Sequence, residues 1–269
     1  MRRIIKLISI LMITAFVLGG CGTKAEVPNT KDDSQLDQTP YGDGEELYSF
    51  RAEIIEGGDT LLITPSEDSN EARSSDKITV NVATAVLVDE TGATIKTEDL
   101  VVGDILVITY NGVILESYPA QITATKVEKV DHNNLIDGYL SLIDDIYRED
   151  SGLNNDIKTI ALDTSGWINL TDIEKEMILA KVRVAYGLEI IEGTYEELAE
   201  QKIIDNEKLL FLDGILIKIS EITYDENKEE IKCAISKWRS GDGAIGADDV
   251  TAVLKSNIWE ITKEGKWIS

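Results

Sequence analysis

The apolar residues of this chain change their spacing near residue 132, from alternating to helical. A pattern that switches in this way cannot be buried by one kind of element throughout. Before that point it alternates: Tyr48, Phe50, Ala52 and Ile54 take every second place, as do Ile78, Val80 and Val82, and then Ile122, Ala124 and Val127 follow. Alternation puts apolar groups on one face of a strand, so residues 47–131 are expected to form about five strands and no substantial helix. The run Leu100 to Tyr110 meets Asn111-Gly112 and then Val113 to Leu115. Asn-Gly tolerates positive φ, so a tight hairpin is expected there. Several short strands in so small a span are expected to close, fully or partly, into a barrel.

Beyond His132 the spacing becomes helical. Ile136, Tyr139, Leu140, Ile143, Ile146 and Tyr147 lie on one helical face, with Asn133 or Asn134 as N-cap. Thr171-Asp172-Ile173-Glu174 is a capping box that opens a second helix, with Ile173, Met177, Ala180 and Val184 inward and Gly187 at its end. A third, short helix follows the box Thr194-Tyr195-Glu196-Glu197. Alternation then returns in Ile215, Ile217 and Ile219, in Ile231, Cys233 and Ile235, in Val250, Ala252 and Leu254, and in Trp259 and Ile261. Asp225 to Lys228 reads as the hairpin turn between the first two of these strands. The phase slips between Ile219 and Ile222 and again between Ile235 and Trp238, which predicts a bulge at each place. The class is therefore α+β, with residues 134–269 expected as helices followed by a curled antiparallel sheet. By order of elements that roll is similar to the cystatin-like and NTF2-like rolls.

The amino terminus carries an address. Arg2, Arg3 and Lys6 precede the apolar run Leu7 to Leu18, which falls short of the roughly 20 residues a membrane span requires. It reads as a secretory signal over residues 1–20. The following Leu18-Gly19-Gly20-Cys21 resembles the lipobox of bacterial lipoproteins, which implies cleavage before Cys21, acylation of its thiol and anchorage to the outer face of the bacterial cell membrane. Residues 21–46 are rich in Pro, Gly and charge, and are expected to be a disordered tether. With Cys21 committed to lipid, Cys233 has no partner for a disulfide.

A second resemblance lies in the strand-rich segment. Ser75-Asp76-Lys77-Ile78, Val102-Gly103-Asp104, Thr109-Tyr110-Asn111-Gly112 and Glu116-Ser117-Tyr118-Pro119-Ala120-Gln121-Ile122 are similar to a small OB-like domain of unknown function found in lipoproteins of Gram-positive bacteria. The likeness implies a five-stranded OB-like β-barrel and a surface location, but no chemistry. Lys237-Trp238-Arg239-Ser240-Gly241 and Trp267-Ile268-Ser269 resemble an uncharacterised carboxyl-terminal module of Gram-positive surface proteins.

Composition then narrows the chemistry. The 269 residues hold 26 Lys plus Arg against 50 Asp plus Glu, a net charge of −24, which repels phosphate backbones and excludes nucleic acid as a general partner. With one His there is no multi-His metal site, and His132 reads as a surface histidine of the linker. No G-x-S-x-G elbow accompanies it. Gly241-Asp242-Gly243-Ala244-Ile245-Gly246 matches G-x-G-x-x-G, yet Asp242, Asp248 and Asp249 stand where phosphate would lie, so it reads as a connection between antiparallel strands. Asp225 to Glu230, and Asp242 with Asp248 and Asp249, raise calcium, against a plain solvated surface. Cys233, between Ile231 and Ile235, reads as a buried small hydrophobe.

Lys237, Trp238 and Arg239 form a basic-aromatic patch in an acidic segment and are the candidate ligand-binding residues. The alternative is that Trp238 packs across a bulge while the two cations pair with carboxylates. The sequence thus predicts no catalytic residue, cofactor or metal. It predicts a membrane-anchored extracellular lipoprotein, a non-catalytic binding or accessory module for an unknown extracellular protein or small ligand. Two alternatives are a carboxylate-based hydrolase of cell-wall material and a calcium-stabilised adhesion module.

Overall fold

A computed structural model of the protein describes residues 46–269, so the signal segment, Cys21 and the tether up to its last residue lie outside the described residues. The first alternating stretch forms β1 (Tyr48–Glu56), β2 (Thr60–Pro65), β3 (Ile78–Asn81), β4 (Val86–Val88), β5 (Asp104–Tyr110) and β6 (Ala120–His132). Phe50, Ala52 and Ile54 of β1 meet Leu61, Ile63, Ile78, Val80, Leu106, Ile108 and Ile122 in one buried cluster. Antiparallel pairs β1–β2, β2–β3, β1–β5 and β5–β6, with a parallel β3–β6 pair, close five strands into a barrel, and β4 adds to β6 in parallel. This order is consistent with an OB-like barrel, and closure leaves none of the five with a free edge.

The expected hairpin at Asn111-Gly112 is wider than the dipeptide suggests. Tyr110 pairs with Ala124 rather than with the run just after the turn. The return strand begins at Ala120, and residues 111–119 form a loop held by an isolated bridge between Leu115 and Gln121. The barrel interior accepts Ala120, Ile122 and Ala124 as alternating inward groups, while Val113 and Leu115 stay exposed.

The second half runs α1 (Asn134–Arg148), β7 (Thr159–Asp163), α2 (Asp172–Tyr186), β8 (Glu189–Glu192), α3 (Tyr195–Glu200), β9 (Gly214–Asp225), β10 (Glu230–Ser240), β11 (Gly243–Lys255) and β12 (Ile258–Ile268). The sheet order is β12-β11-β10-β9-β7-β8. Its last four strands are the expected antiparallel meander, but β7 and β8 lie between the helices, and β7 pairs in parallel with both β8 and β9. The sheet is therefore mixed, which corrects the reading of helices followed by a wholly antiparallel sheet. All five residues of β7 are buried, because Ile160 and Leu162 face one cluster while Ala161 faces another. A strand covered on both faces has no alternation to read.

Helix α2 has the expected capping box at Thr171 and Glu174 and ends at Gly187. Its buried residues are Met177, Ile178 and Val182, whereas Ala180 and Val184 are exposed. The inward stripe includes the polar positions Glu174 and Lys181, which an apolar-only stripe passes over. The predicted bulge after Ile219 is present, with Glu221 at φ 54 and a register shift opposite Lys232 and Ala234. No shift separates Ile235 from Trp238, which pair continuously with Ala247 to Ala244. The alternation does not slip there. It continues through Lys237, which is fully buried.

Barrel and sheet each have a core, and Val102 packs against both.

Candidate functional site

The basic-aromatic patch is taken up by the fold. Lys237 Nζ donates to the carbonyls of Tyr147 at 2.9 Å and Asp150 at 3.1 Å, to that of Glu149, and to Asn154 Oδ1 at 3.2 Å. Burial pushes its pKa down to about 8, against the opposing pull of Asp150 and Glu149. Trp238 lies on the other face of β10, packed with Leu198, Phe211 and Leu216 and edge-on to Tyr195 at 5.1 Å between ring centres. Arg239 donates to the carbonyls of Leu153 at 2.9 Å, Asn155 at 2.7 Å and Leu212 at 3.3 Å. The three are neighbours in sequence, but Trp238 faces the opposite side of β10 from Lys237. Neighbouring β residues point to opposite faces, and both cations satisfy main-chain carbonyls rather than carboxylates.

The other sequence features also find structural explanations. Gly241 and Asp242 turn antiparallel β10 into β11, whose first residues are Gly243 to Gly246, and a Cβ on Gly246 would lie 2.4 Å from Trp267 Cζ2 and 2.7 Å from the Ile235 carbonyl oxygen. That glycine is required by the indole above it. Asp225 binds Lys228, Asp242 accepts from Ser240, and Asp248 accepts from Trp267 Nε1. Among the described residues no group of three or more His, Cys, Asp or Glu is gathered as a metal site. Cys233 is buried, and burial pushes its thiol up to about 12, so it is inert at neutral pH.

His132 is no free linker residue. It ends β6 beside α1, where its Nδ1 lies 2.7 Å from Asp104 Oδ1 and its Nε2 2.9 Å from Asp137 Oδ2. Gly103, at φ 96, lets the backbone pass beneath the ring, which a Cβ would approach to 3.2 Å. The hydrogen bonds to Asp104 and Asp137 outweigh burial and raise the imidazole to about 9, so it is a cation at neutral pH. Asp104 is fully buried and also meets Lys129 at 2.7 Å. Against the cost of burial, His132 and Lys181 hold the Asp137 carboxyl below its usual range. Lys181 reaches across from α2 to the Val102 carbonyl at 3.3 Å.

One residue further on, Asn133 is the N-cap of α1, as expected, but its side chain makes no capping bond. Its Nδ2 instead donates to Glu53 Oε1 at 3.2 Å and Glu174 Oε1 at 2.6 Å. Two carboxyl groups, one from the barrel and one from α2, thus converge on one amide. Burial first, and then the charge of Glu174, push Glu53 up to about 7. Both acids line a cleft of about 460 Å³ between the barrel and the amino end of α2, with Ala52, Pro65, Ile105 and Ile173 as its apolar floor. Such a cleft has room for a small ligand or the tip of a protein loop, and a titratable acid, Glu53, lines it.

Sequence reasoning missed this cleft, because Glu53, Asn133 and Glu174 are far apart in the chain and lie on three different elements. The one legible trace is Glu174, which was already read as the acid of a capping box. Compared with models of known protein families and with curated proteins, the chain has no match to either.

Proposed function

We propose that the protein is a lipoprotein held on the outer face of a bacterial membrane through acylated Cys21, and that it works there as a non-catalytic binding or accessory module. Its extracellular ligand, a protein or a small molecule, is taken into the cleft between barrel and α2. The lipobox-like Leu18-Gly19-Gly20-Cys21 supports the anchor. The reading is carried by one observation, the cleft of about 460 Å³ with an apolar floor and the Glu53 and Glu174 carboxyls at its wall. We read the barrel as OB-like from its closed order β1-β2-β3-β6-β5. We liken α1 and the β9 to β12 meander to the cystatin-like and NTF2-like rolls by order of elements alone.

Two experiments test this. Cys21→Ala is expected to abolish labelling by palmitate and to release the protein into the medium; continued labelling removes the anchor from the reading. Residues 21–269, immobilised, are expected to retain a partner from envelope extract, and Thr64→Arg, which places a bulky cation at the cleft wall, to retain at least tenfold less. Equal retention by the variant places the partner elsewhere.

A second reading, a carboxylate-based hydrolase of wall material, is favoured by the Glu53 and Glu174 pair itself. A carboxyl that keeps its proton near neutrality beside a second carboxyl is the equipment of general acid catalysis. Release of soluble fragments from purified wall, lost in both Glu53→Gln and Glu174→Gln, would select it over the first.

A further inference from the structure

Four large apolar side chains stand in solvent where the barrel begins. Leu47 and Tyr48, at the start of β1, are 53% and 44% exposed, and Val113 and Leu115, on the loop 111–119, are 55% and 57% exposed. Strand register brings the two stretches together. Tyr48 pairs with Tyr110, the last residue of β5 before the loop, and tilts over it with 6.2 Å between ring centres. Its ring also lies against Gly112, where an added Cβ would come within 2.7 Å of it. Tyr48 has the parity of the inward Phe50 and Ala52, yet it lies past the last layer of the core and stays exposed. Residues 111–119 carry one charged side chain, Glu116, in a chain of which charged residues are 28%. A cluster of exposed apolar groups on a loop with so little charge marks a surface that meets something other than water. The chain indicates what that is. Glu46 leads directly into Leu47, so everything between Cys21 and the barrel enters the fold at this patch. About 25 peptide units separate Cys21 from Glu46, a reach of roughly 90 Å at most.

We propose that this patch rests on the lipid surface to which Cys21 is anchored, with Leu47, Tyr48, Val113 and Leu115 in the boundary between headgroups and acyl chains. The inference rests on the lipid anchor proposed above and adds an orientation to it. An apolar loop needs little intrinsic affinity for lipid when an acyl chain already holds it nearby, because tethering raises its effective concentration at the surface. Tyrosine suits that depth, since its ring is apolar and its hydroxyl stays wet. A barrel docked in this way keeps the cleft in water. Glu53, which lines the cleft, lies further along β1 from Tyr48 and pairs with Ile105, at the other end of β5 from Tyr110. A second copy of the chain fits the patch less well, because each copy brings a net charge of −24 that opposes self-association, whereas an uncharged lipid surface does not.

The test uses the full acylated chain, taken from membranes in detergent and reconstituted into phosphatidylcholine vesicles with brominated or unbrominated acyl chains. An environment-sensitive fluorophore is attached in Leu115→Cys and, as a control, in Val184→Cys on α2, where the side chain is 85% exposed. Cys233 is buried and takes no label. Emission from position 115 is expected to shift to the blue and to fall about twofold in the brominated vesicles, because the loop sits at the acyl boundary. Position 184 is expected to do neither. Val113→Asp, in the exposed loop, is expected to remove most of the quenching at position 115 while the protein stays with the vesicles. Should that variant melt early, Leu47→Asp takes its place. An unquenched probe at position 115, on protein that floats with the vesicles, overturns the docking and leaves the anchor standing. Protein absent from the vesicles overturns both. Equal quenching at positions 115 and 184, or undiminished quenching in the aspartate variant, also overturns the docking. So does a blue shift that follows protein density and not bromine, which would make the patch a contact between copies.

Discussion

The Lys237 ammonium lies 2.9 Å from the carbonyl oxygen of Tyr147, under the last turn of α1. A strand residue thereby closes the end of a helix. The last carbonyls of a helix have no partner within it and carry the negative end of its dipole, so a buried cation placed there is held by the field as well as by hydrogen bonds. Lys237→Met keeps the length and removes the donors, stranding the Glu149 carbonyl and leaving those of Tyr147 and Asp150 with only Asn154 Nδ2 and the Leu153 amide. The expected loss is about 3 kcal/mol in urea unfolding. A loss below ~1 kcal/mol would mean that water satisfies those carbonyls.

His132 sets a pH dependence. Its folded pKa, about 9, lies above the unfolded 6.5, so its contribution is complete below 6.5 and is lost as pH rises through 9. The melting temperature is expected to fall across that window, and the fall attributable to this residue to vanish in His132→Gln. An unchanged slope in the variant assigns the dependence to another group.

Glu53 acts in a lower window. Its carboxyl is raised from 4.5 to about 7, so the protonated form stabilises the fold, and that contribution is lost as pH climbs from 4.5 through 7. Glu53→Gln keeps the shape of the neutral acid. At pH ~8 it is expected to be more stable than the wild type by about 1 kcal/mol, since ionised Glu53 no longer faces Glu174. Chemical denaturation checks this, and a less stable variant would show that the ionised carboxyl is accommodated.

Gly246→Ala is expected to cost about 1–3 kcal/mol, because the new methyl meets both the Trp267 ring and the Ile235 carbonyl, and backbone cannot move aside as a side-chain tip can. Thermal unfolding followed by Trp fluorescence measures the shift directly. A neutral result would mean that β12 lifts away from β11 at little cost.

Much of the architecture was legible residue by residue. The alternation of Phe50, Ala52 and Ile54 marked β1, the boxes at Thr171 and Thr194 marked the starts of α2 and α3, and the phase slip after Ile219 marked a true bulge. These are local signals, in which a few neighbouring residues decide backbone conformation. β7 was not legible, because burial on both faces erases alternation. Nor was the inward turn of Lys237, because a buried cation interrupts the apolar code while the strand itself runs on.

The sequence by itself determined the α+β class, most of the strands and helix starts, and the strong negative charge, all of which follow from spacing and composition. Only the tertiary structure decided that β3 and β6 close the barrel, that Glu53 and Glu174 meet at Asn133, and that His132 is clasped between two aspartates. The physical reason is that such contacts join elements far apart in the chain. Their geometry, and the desolvation that shifts their protons, come into being only when the two cores pack together.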